Sequence, residues 1–184
     1  MRRTVSLCVL FGLMVSIMLM PGCTVYDVAV EERNLGDWTN DKNISYSIER
    51  AFLNDELVKY MDFDAFCYEG QVFLVGQYES RDQVKRAESI AKGTKGVHSV
   101  TTFVMPKKAH DDCGTTDNLG LYTKVKQRLV ADTDIWSTNI DIKTMQCHII
   151  LLGIVGSVTE RDAAIAHARS VEGARGVESF LMIR

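Results

Sequence analysis

The chain has 184 residues, with 24 acidic side chains against 21 lysines and arginines and a formal net charge of −3. That length suits two small domains better than one large core. The acidic balance argues against nucleic acid as a partner.

The chain opens on a targeting segment. Arg2 and Arg3 form a cationic start, residues 5–20 an apolar core, and Pro21-Gly22-Cys23 a cleavage region. The apolar run is short for a membrane span and polar sequence follows at once. Small residues before Cys23 resemble the lipobox of bacterial lipoproteins, which implies a signal peptide over residues 1–22 and a diacylglycerol on the Cys23 thiol. Thr24, standing where inner-membrane retention favours Asp, points to the outer membrane. Residues 23–43 are polar and non-periodic and read as a tether.

Residues 44–105 read as a first module. Ile44, Ile48, Ala51 and Phe52 stripe a helix. Residues 63–68 and 71–78 make a hairpin across Glu69-Gly70, and a helix over 80–92 and a strand over 97–105 complete the unit. Residues 106–118 form a linker. Residues 119–184 repeat the order, with a helix at 119–131, strands at 140–145 and 148–155, a helix at 159–171 and a strand at 177–183. The expected class is therefore α+β: two tandem α-β-β-α-β modules, each with its helices on one face of a three-stranded mixed sheet.

Matching letters relate the copies. Gly76 aligns with Gly156, Arg81-Asp82 with Arg161-Asp162, and Gly96-Val97 with Gly176-Val177, all by one constant offset (156 − 76, 161 − 81, 176 − 96). In that alignment Gly76 and Gly156 end the central strands, and Gly96 and Gly176 open the last ones, so all four are expected to be structural. Ser80 and Thr159 start the second helices, Gly93 and Gly173 stop them, and Cys67 aligns with Cys147.

Residues able to carry chemistry do not assemble into a signature. His110-Asp111-Asp112-Cys113 gathers metal-capable side chains in a row, but adjacent loop residues rarely converge on one ion, and a solvated linker is the preferred reading. His98, His148 and His167 have no nucleophile or acid–base partner in recognisable spacing. Gly93-Thr-Lys-Gly96 has the helix before the loop, the wrong order for cradling phosphate. No catalytic residue, metal, cofactor or small-molecule substrate is expected. Cys67, Cys113 and Cys147 leave two readings open: one disulfide plus a thiol in an oxidising compartment, or small buried residues.

The first helix of module two is the candidate site. Leu121, Tyr122, Val125 and Leu129 form an apolar stripe, with Lys124 and Arg128 on one border and Lys126 on the other. A core-facing helix with a basic rim and a helix lying at a lipid surface both fit that pattern. The matching helix of module one carries Glu49, Arg50 and Asp55 instead.

Taken together, YEGQVFLVGQ at 68–77, YTKVKQRL at 122–129, the Gly-ended strands and the Gly-Val strand starts resemble the BON domain, in two copies behind a lipoprotein signal. The resemblance implies a non-enzymatic lipoprotein on the periplasmic face of the outer membrane. It also implies binding to anionic phospholipid and support of envelope integrity under stress. By position it assigns the lipid contact to Leu119, Leu121, Tyr122, Lys124 and Arg128. The competing reading is a protein-interaction or chaperone-like module with envelope proteins as partners, using sheet edges.

Overall fold

Two central strands, each buried on both faces, set the architecture. The computed structural model describes residues 35–58 and 61–184, so the expected signal peptide and Cys23 lie outside the described residues. The first module runs α1 (Leu35–Leu53), β1 (Phe63–Tyr68), β2 (Gln71–Tyr78), α2 (Arg81–Gly93) and β3 (Ser99–Pro106). The second runs α3 (Thr115–Ala131), a 3₁₀ turn (Ser137–Asn139), β4 (Ile140–Met145), β5 (His148–Val155), α4 (Val158–Arg169) and β6 (Gly176–Ile183). Each sheet has the hairpin-formed central strand in the middle, antiparallel to the first strand and parallel to the last. The parallel pair needs a crossover, which α2 and α4 supply. The α+β class with two three-stranded mixed sheets is as expected.

Alternation along β2 and β5 sends side chains two ways. Val72 and Leu74 pack beneath α1 and α2 with Ile44, Ile48, Phe52, Ala87 and Ala91. Ile149 and Leu151 do the same beneath α3 and α4 with Leu121, Val125, Leu129, Ala164 and Ala168. Phe73 and Val75 point the other way, into a third cluster with Ile150, Leu152 and Ile154, flanked by Phe103, Met105, Phe180 and Met182. The two sheets thus pack on each other and the order of layers is helix, sheet, sheet, helix. Phe180 sits at the centre, its ring 5.5 Å from Phe73 and 6.2 Å from Phe103. Polar bonds ring this apolar seam. Tyr68 donates to the Asp141 carboxylate, Lys143 pairs with Asp64 at 2.5 Å, and Gln146 Nε2 donates to Gln77 and to the Pro106 carbonyl.

The repeat offset in the fold is three positions shorter than the matching letters imply. Phe63 corresponds to Ile140, Gln71 to His148, Gly76 to Gly153 and Ser99 to Gly176 (140 − 63, 148 − 71, 153 − 76, 176 − 99). Buried side chains agree: Ile44, Ile48 and Phe52 map onto Leu121, Val125 and Leu129, and Ala87 and Ala91 onto Ala164 and Ala168. The letter-based match aligned residues that fall three places apart in the fold. The glycine that crosses the start of the neighbouring strand is accordingly Gly153. A Cβ at Gly76 or Gly153 would stand 2.0 Å from the carbonyl oxygen of Asp62 or Asn139. Gly156 is exposed beyond β5, where its N–H donates to Glu160 Oε2 at 2.9 Å. Gly96, with φ +92, matches Gly173, with φ +97, rather than Gly176.

Capping follows the corrected offset. Ser80 and Ser157, not Thr159, cap α2 and α4, their hydroxyls accepting from the N–H groups of Gln83 and Glu160. Gln83 and Glu160 then accept from the residue before each cap, Glu79 and Gly156, a variant of the reciprocal capping box. Both hairpins use two left-handed residues, Glu69-Gly70 and Gln146-Cys147, the geometry that matches strand twist.

Helix α1 begins at Leu35, so residues 35–43, expected as tether, are helical. The reason is Asp41, polar in the sequence yet buried at 1% exposure. Its carboxylate accepts the N–H groups of Glu69 and Gly70 at 2.8 and 3.0 Å and the Cys67 thiol at 3.3 Å, tying the helix to the hairpin. Asn118, the counterpart of Asp41 in the second module, accepts the N–H of Cys147 at 3.1 Å. Helix α3 likewise begins early, at Thr115, inside the expected linker.

Candidate functional site

Helix α3 is fixed at its start from two sides. Asp117 accepts the Gly114 N–H at 2.8 Å, satisfying a donor at the helix N-terminus. Immediately before it, Cys113 forms a disulfide with Cys147, the second turn residue of the β4–β5 hairpin. A bridge across a sequence separation of 34 stabilises by about 3–4 kcal/mol in the chain-entropy account. Of the two cysteine readings left open, the structure realises the disulfide with Cys67 as a buried thiol on β1; Cys147 is the counterpart of Gly70, not of Cys67. The metal-capable linker run is spent on structure: Cys113 is oxidised, and Asp111 pairs with Arg175 at 2.6 Å. The Cys113 N–H and then Arg175 hold the Asp111 carboxyl below the usual carboxylate range. Among the described residues no three His, Cys, Asp or Glu side chains gather around a metal position.

Leu121, Val125 and Leu129 face the core, with Leu121 only 4% exposed. Leu121 is therefore unavailable to an outside surface, and its assignment to the lipid contact is corrected. Leu119 is 62% and Tyr122 39% exposed, and Val130 is as open as Leu119. With Lys126 these three lie on one ridge by their spacing of three, four and four positions. Lys124 and Arg128 are exposed but project about 140° and 180° round the helix from Leu119, at 100° per residue. The structure therefore does not bring them beside Leu119 and Tyr122. The cation within the ridge is Lys126, whose ammonium donates to the Ser137 carbonyl at 2.9 Å. Arg128 turns towards α4 and donates to Ser170 Oγ.

Sequence reasoning missed Val130 and Trp136. Trp136 is 51% exposed beside the 3₁₀ turn that Lys126 touches. The 119-122-126-130 spacing is present in the sequence, but the 121-125-129 stripe is the stronger signal. At the far end of α3, His167 bonds Asp132 at 2.8 Å, and this bond, then the Asp134 N–H, holds the Asp132 carboxyl below the usual range. Gly93-Thr-Lys-Gly96 is a helix stop: Thr94 caps α2, its hydroxyl bonded to the Ile90 carbonyl. Among the described residues no helix is long and apolar enough to cross a membrane.

Comparison with known proteins yields one family and distant relatives. The family model of the BON domain matches residues 40–104 and 118–184. Osmotically-inducible protein Y of Escherichia coli is similar at 26% identity over 149 residues, 80% of this chain and 74% of that protein. Outer membrane lipoprotein DolP of Haemophilus influenzae is similar at 26% over 157 residues, 85% of this chain and 81% of that protein. A 21 kDa hemolysin of Actinobacillus pleuropneumoniae is 23% identical over 149 residues, 80% of this chain and 76% of its own length.

Proposed function

This chain belongs to the BON domain family, with two copies of the domain filling most of its length, and we propose that it is a non-enzymatic lipoprotein of the bacterial envelope. In this reading Cys23 carries the lipid and holds the protein on the periplasmic face of the outer membrane, where it contacts anionic phospholipid through α3. A similar outer membrane lipoprotein and a similar osmotically inducible protein support the setting. The observation that carries the contact is the solvent-facing ridge of Leu119, Tyr122 and Val130, with Trp136 exposed beside the turn that Lys126 touches. Lys126 is the cation within the ridge and reaches lipid headgroups along its stem while the ridge dips into the interface. Lys124 and Arg128 project from the far side of the helix. Each such cation contributes about 1 kcal/mol near an anionic surface, too little alone. Apolar insertion must add to it, and the anchor raises the effective concentration.

The anchor is tested directly. The intact mass of the processed chain should show acylation on an N-terminal Cys23, and Cys23→Ala should move the protein from the membrane to the soluble fraction. An unmodified mature N-terminus would remove the lipoprotein reading.

The contact is tested by flotation of the full chain with phosphatidylglycerol vesicles and with neutral vesicles. Lys126→Glu, and separately Leu119→Ser with Tyr122→Ser, should each cut binding to the anionic vesicles at least ten-fold at low salt with the fold retained, and Lys124→Glu with Arg128→Glu should cut it less. Arg50→Glu on α1 should leave it unchanged. Equal binding by all variants would reject α3 as the contact. A second reading then takes over, because α1 and the loop after it expose Tyr46, Leu53, Leu57 and Met61, an apolar surface suited to an envelope protein.

A further inference from the structure

The last strand of the second module has a free side. Strand β6 pairs with β5 and, among the described residues, with no strand beyond it. The Arg184 N–H donates inwards to Val155 at 3.1 Å, so by alternation the N–H and C=O groups of Val177, Ser179, Leu181 and Ile183 face outwards. The Leu181 N–H finds only its neighbour Ser179 Oγ, at 3.4 Å. Such a row of unmade backbone bonds is a template for another strand.

The equivalent edge in the first module is blocked at its end. Pro106 stands where Ile183 stands and has no N–H to offer, and its carbonyl is taken by Gln146 at 2.7 Å. The copies also differ in what overhangs the edge. Beside β3, Glu88 and Lys92 pair at 3.1 Å on the outer face of α2. Their counterparts on α4 are Ile165 and Arg169, and there a groove of 840 Å³ opens between α4 and β6. Ile165, Ala166 and Leu181 floor it, and Arg161 and Arg169 stand over it. Arg128 comes in from α3 to bond Ser170, which also lines it. Asp162 is the one acid in the lining, and it is bonded to Arg161. Three arginines against one aspartate invert the acidic balance of the whole chain.

We propose that the β6 edge and the α4 groove form a docking site for an extended acidic peptide segment of a partner protein, added as a fourth strand. The backbone of β6 supplies hydrogen bonds that any extended peptide can complete, and the groove takes every second side chain of the peptide. Those side chains are carboxylates opposite Arg161 and Arg169, alternating along the strand with residues that turn to the other face. Guanidinium–carboxylate pairing over an apolar floor selects acidic peptide from basic. This site stands apart from the Leu119–Tyr122 ridge and does not depend on lipid contact there.

The test uses the full chain in detergent and a labelled octapeptide of alternating valine and glutamate, read by fluorescence anisotropy. Two further peptides serve as probes, one with lysine for glutamate and one N-methylated at alternate amides. The valine–glutamate peptide should bind, and the Ser179 and Leu181 amides should gain exchange protection. Arg161→Glu with Arg169→Glu should weaken binding at least ten-fold, as should Ile183→Pro, which installs the residue that blocks the other edge at its end. Lys92→Glu should change nothing. The N-methylated peptide, which needs no alteration of the protein, should bind at least ten-fold more weakly, so a misfolded Ile183→Pro variant would not shelter the proposal. Equal binding of the N-methylated or the lysine peptide, or no binding of the glutamate peptide, overturns it. So does a result in which Arg161→Glu with Arg169→Glu abolishes binding to phosphatidylglycerol vesicles and spares the peptide, since the groove would then be a headgroup site.

Discussion

Gly153→Val should unfold the second module at temperatures where the native chain is stable, a loss of about 4 kcal/mol or more. Two costs add at this one position. With φ +142 the backbone lies where L side chains are strained, at about 1–3 kcal/mol. The first side-chain atom would also stand 2.0 Å from the Asn139 carbonyl oxygen, which belongs to the backbone entering β4 and cannot rotate away. Relief requires β4 and β5 to separate, and overpacking of that kind costs about 1–3 kcal/mol even where the core yields. Gly76→Val meets the same contact with the Asp62 carbonyl without the positive φ, so it should lose less, about 1–3 kcal/mol. Gly156→Val, three positions on and exposed, should cost less than about 1 kcal/mol. Chemical denaturation of the three variants decides the matter. Comparable losses at Gly153 and Gly156 would restore the letter-based alignment and sink the one drawn from strand pairing.

Leu152→Asp should separate the two modules, at about 4 kcal/mol or more. Leu152 is fully buried and faces the other sheet, among Phe73, Val75, Ile150 and Ile154. Truncation to Ala at such a site costs about 2–5 kcal/mol through lost transfer energy and the cavity left behind. A carboxylate adds the desolvation of a charge with no partner in an apolar layer, and the group would take up a proton rather than ionise. The two helix-facing cores remain intact, so each module keeps one covered face while its second sheet face is opened to water. Heating should then show two transitions in place of one, with faster proteolysis in the segment joining β3 to α3. A single transition at the native midpoint would mean that the sheet-to-sheet seam contributes little to stability.

Much of this protein can be read from its residues alone. Apolar β-rich runs and helical spacing place the six strands and the bodies of the four helices among the described residues, because those patterns are local properties of the backbone. The repeat is legible too, and so are the unbroken apolar runs VFLV at 72–75 and IILL at 149–152, since a run with no polar face must be covered on both sides. What covers the second face is not legible. Phe103 and Phe180 look like ordinary strand residues until the two sheets are laid on each other, and their contact joins different copies of the module.

The same limit explains the misplaced details. Identical letters at one offset compete with matching burial at another, and only strand pairing reveals which glycine passes a neighbouring carbonyl. Asp41 reads as tether because a carboxylate scores as surface, whereas three donors in the β1–β2 hairpin make its burial favourable. Cys113 cannot be paired with Cys147 from spacing, since a disulfide depends on two Cα atoms meeting, here at 5.7 Å, and nothing local enforces that approach. On α3 the stripe of Leu121, Val125 and Leu129 is legible, but which side of a helix meets the core is decided by the sheet beneath it. That choice puts Leu121 inside and leaves Leu119, Tyr122 and Val130 to the solvent.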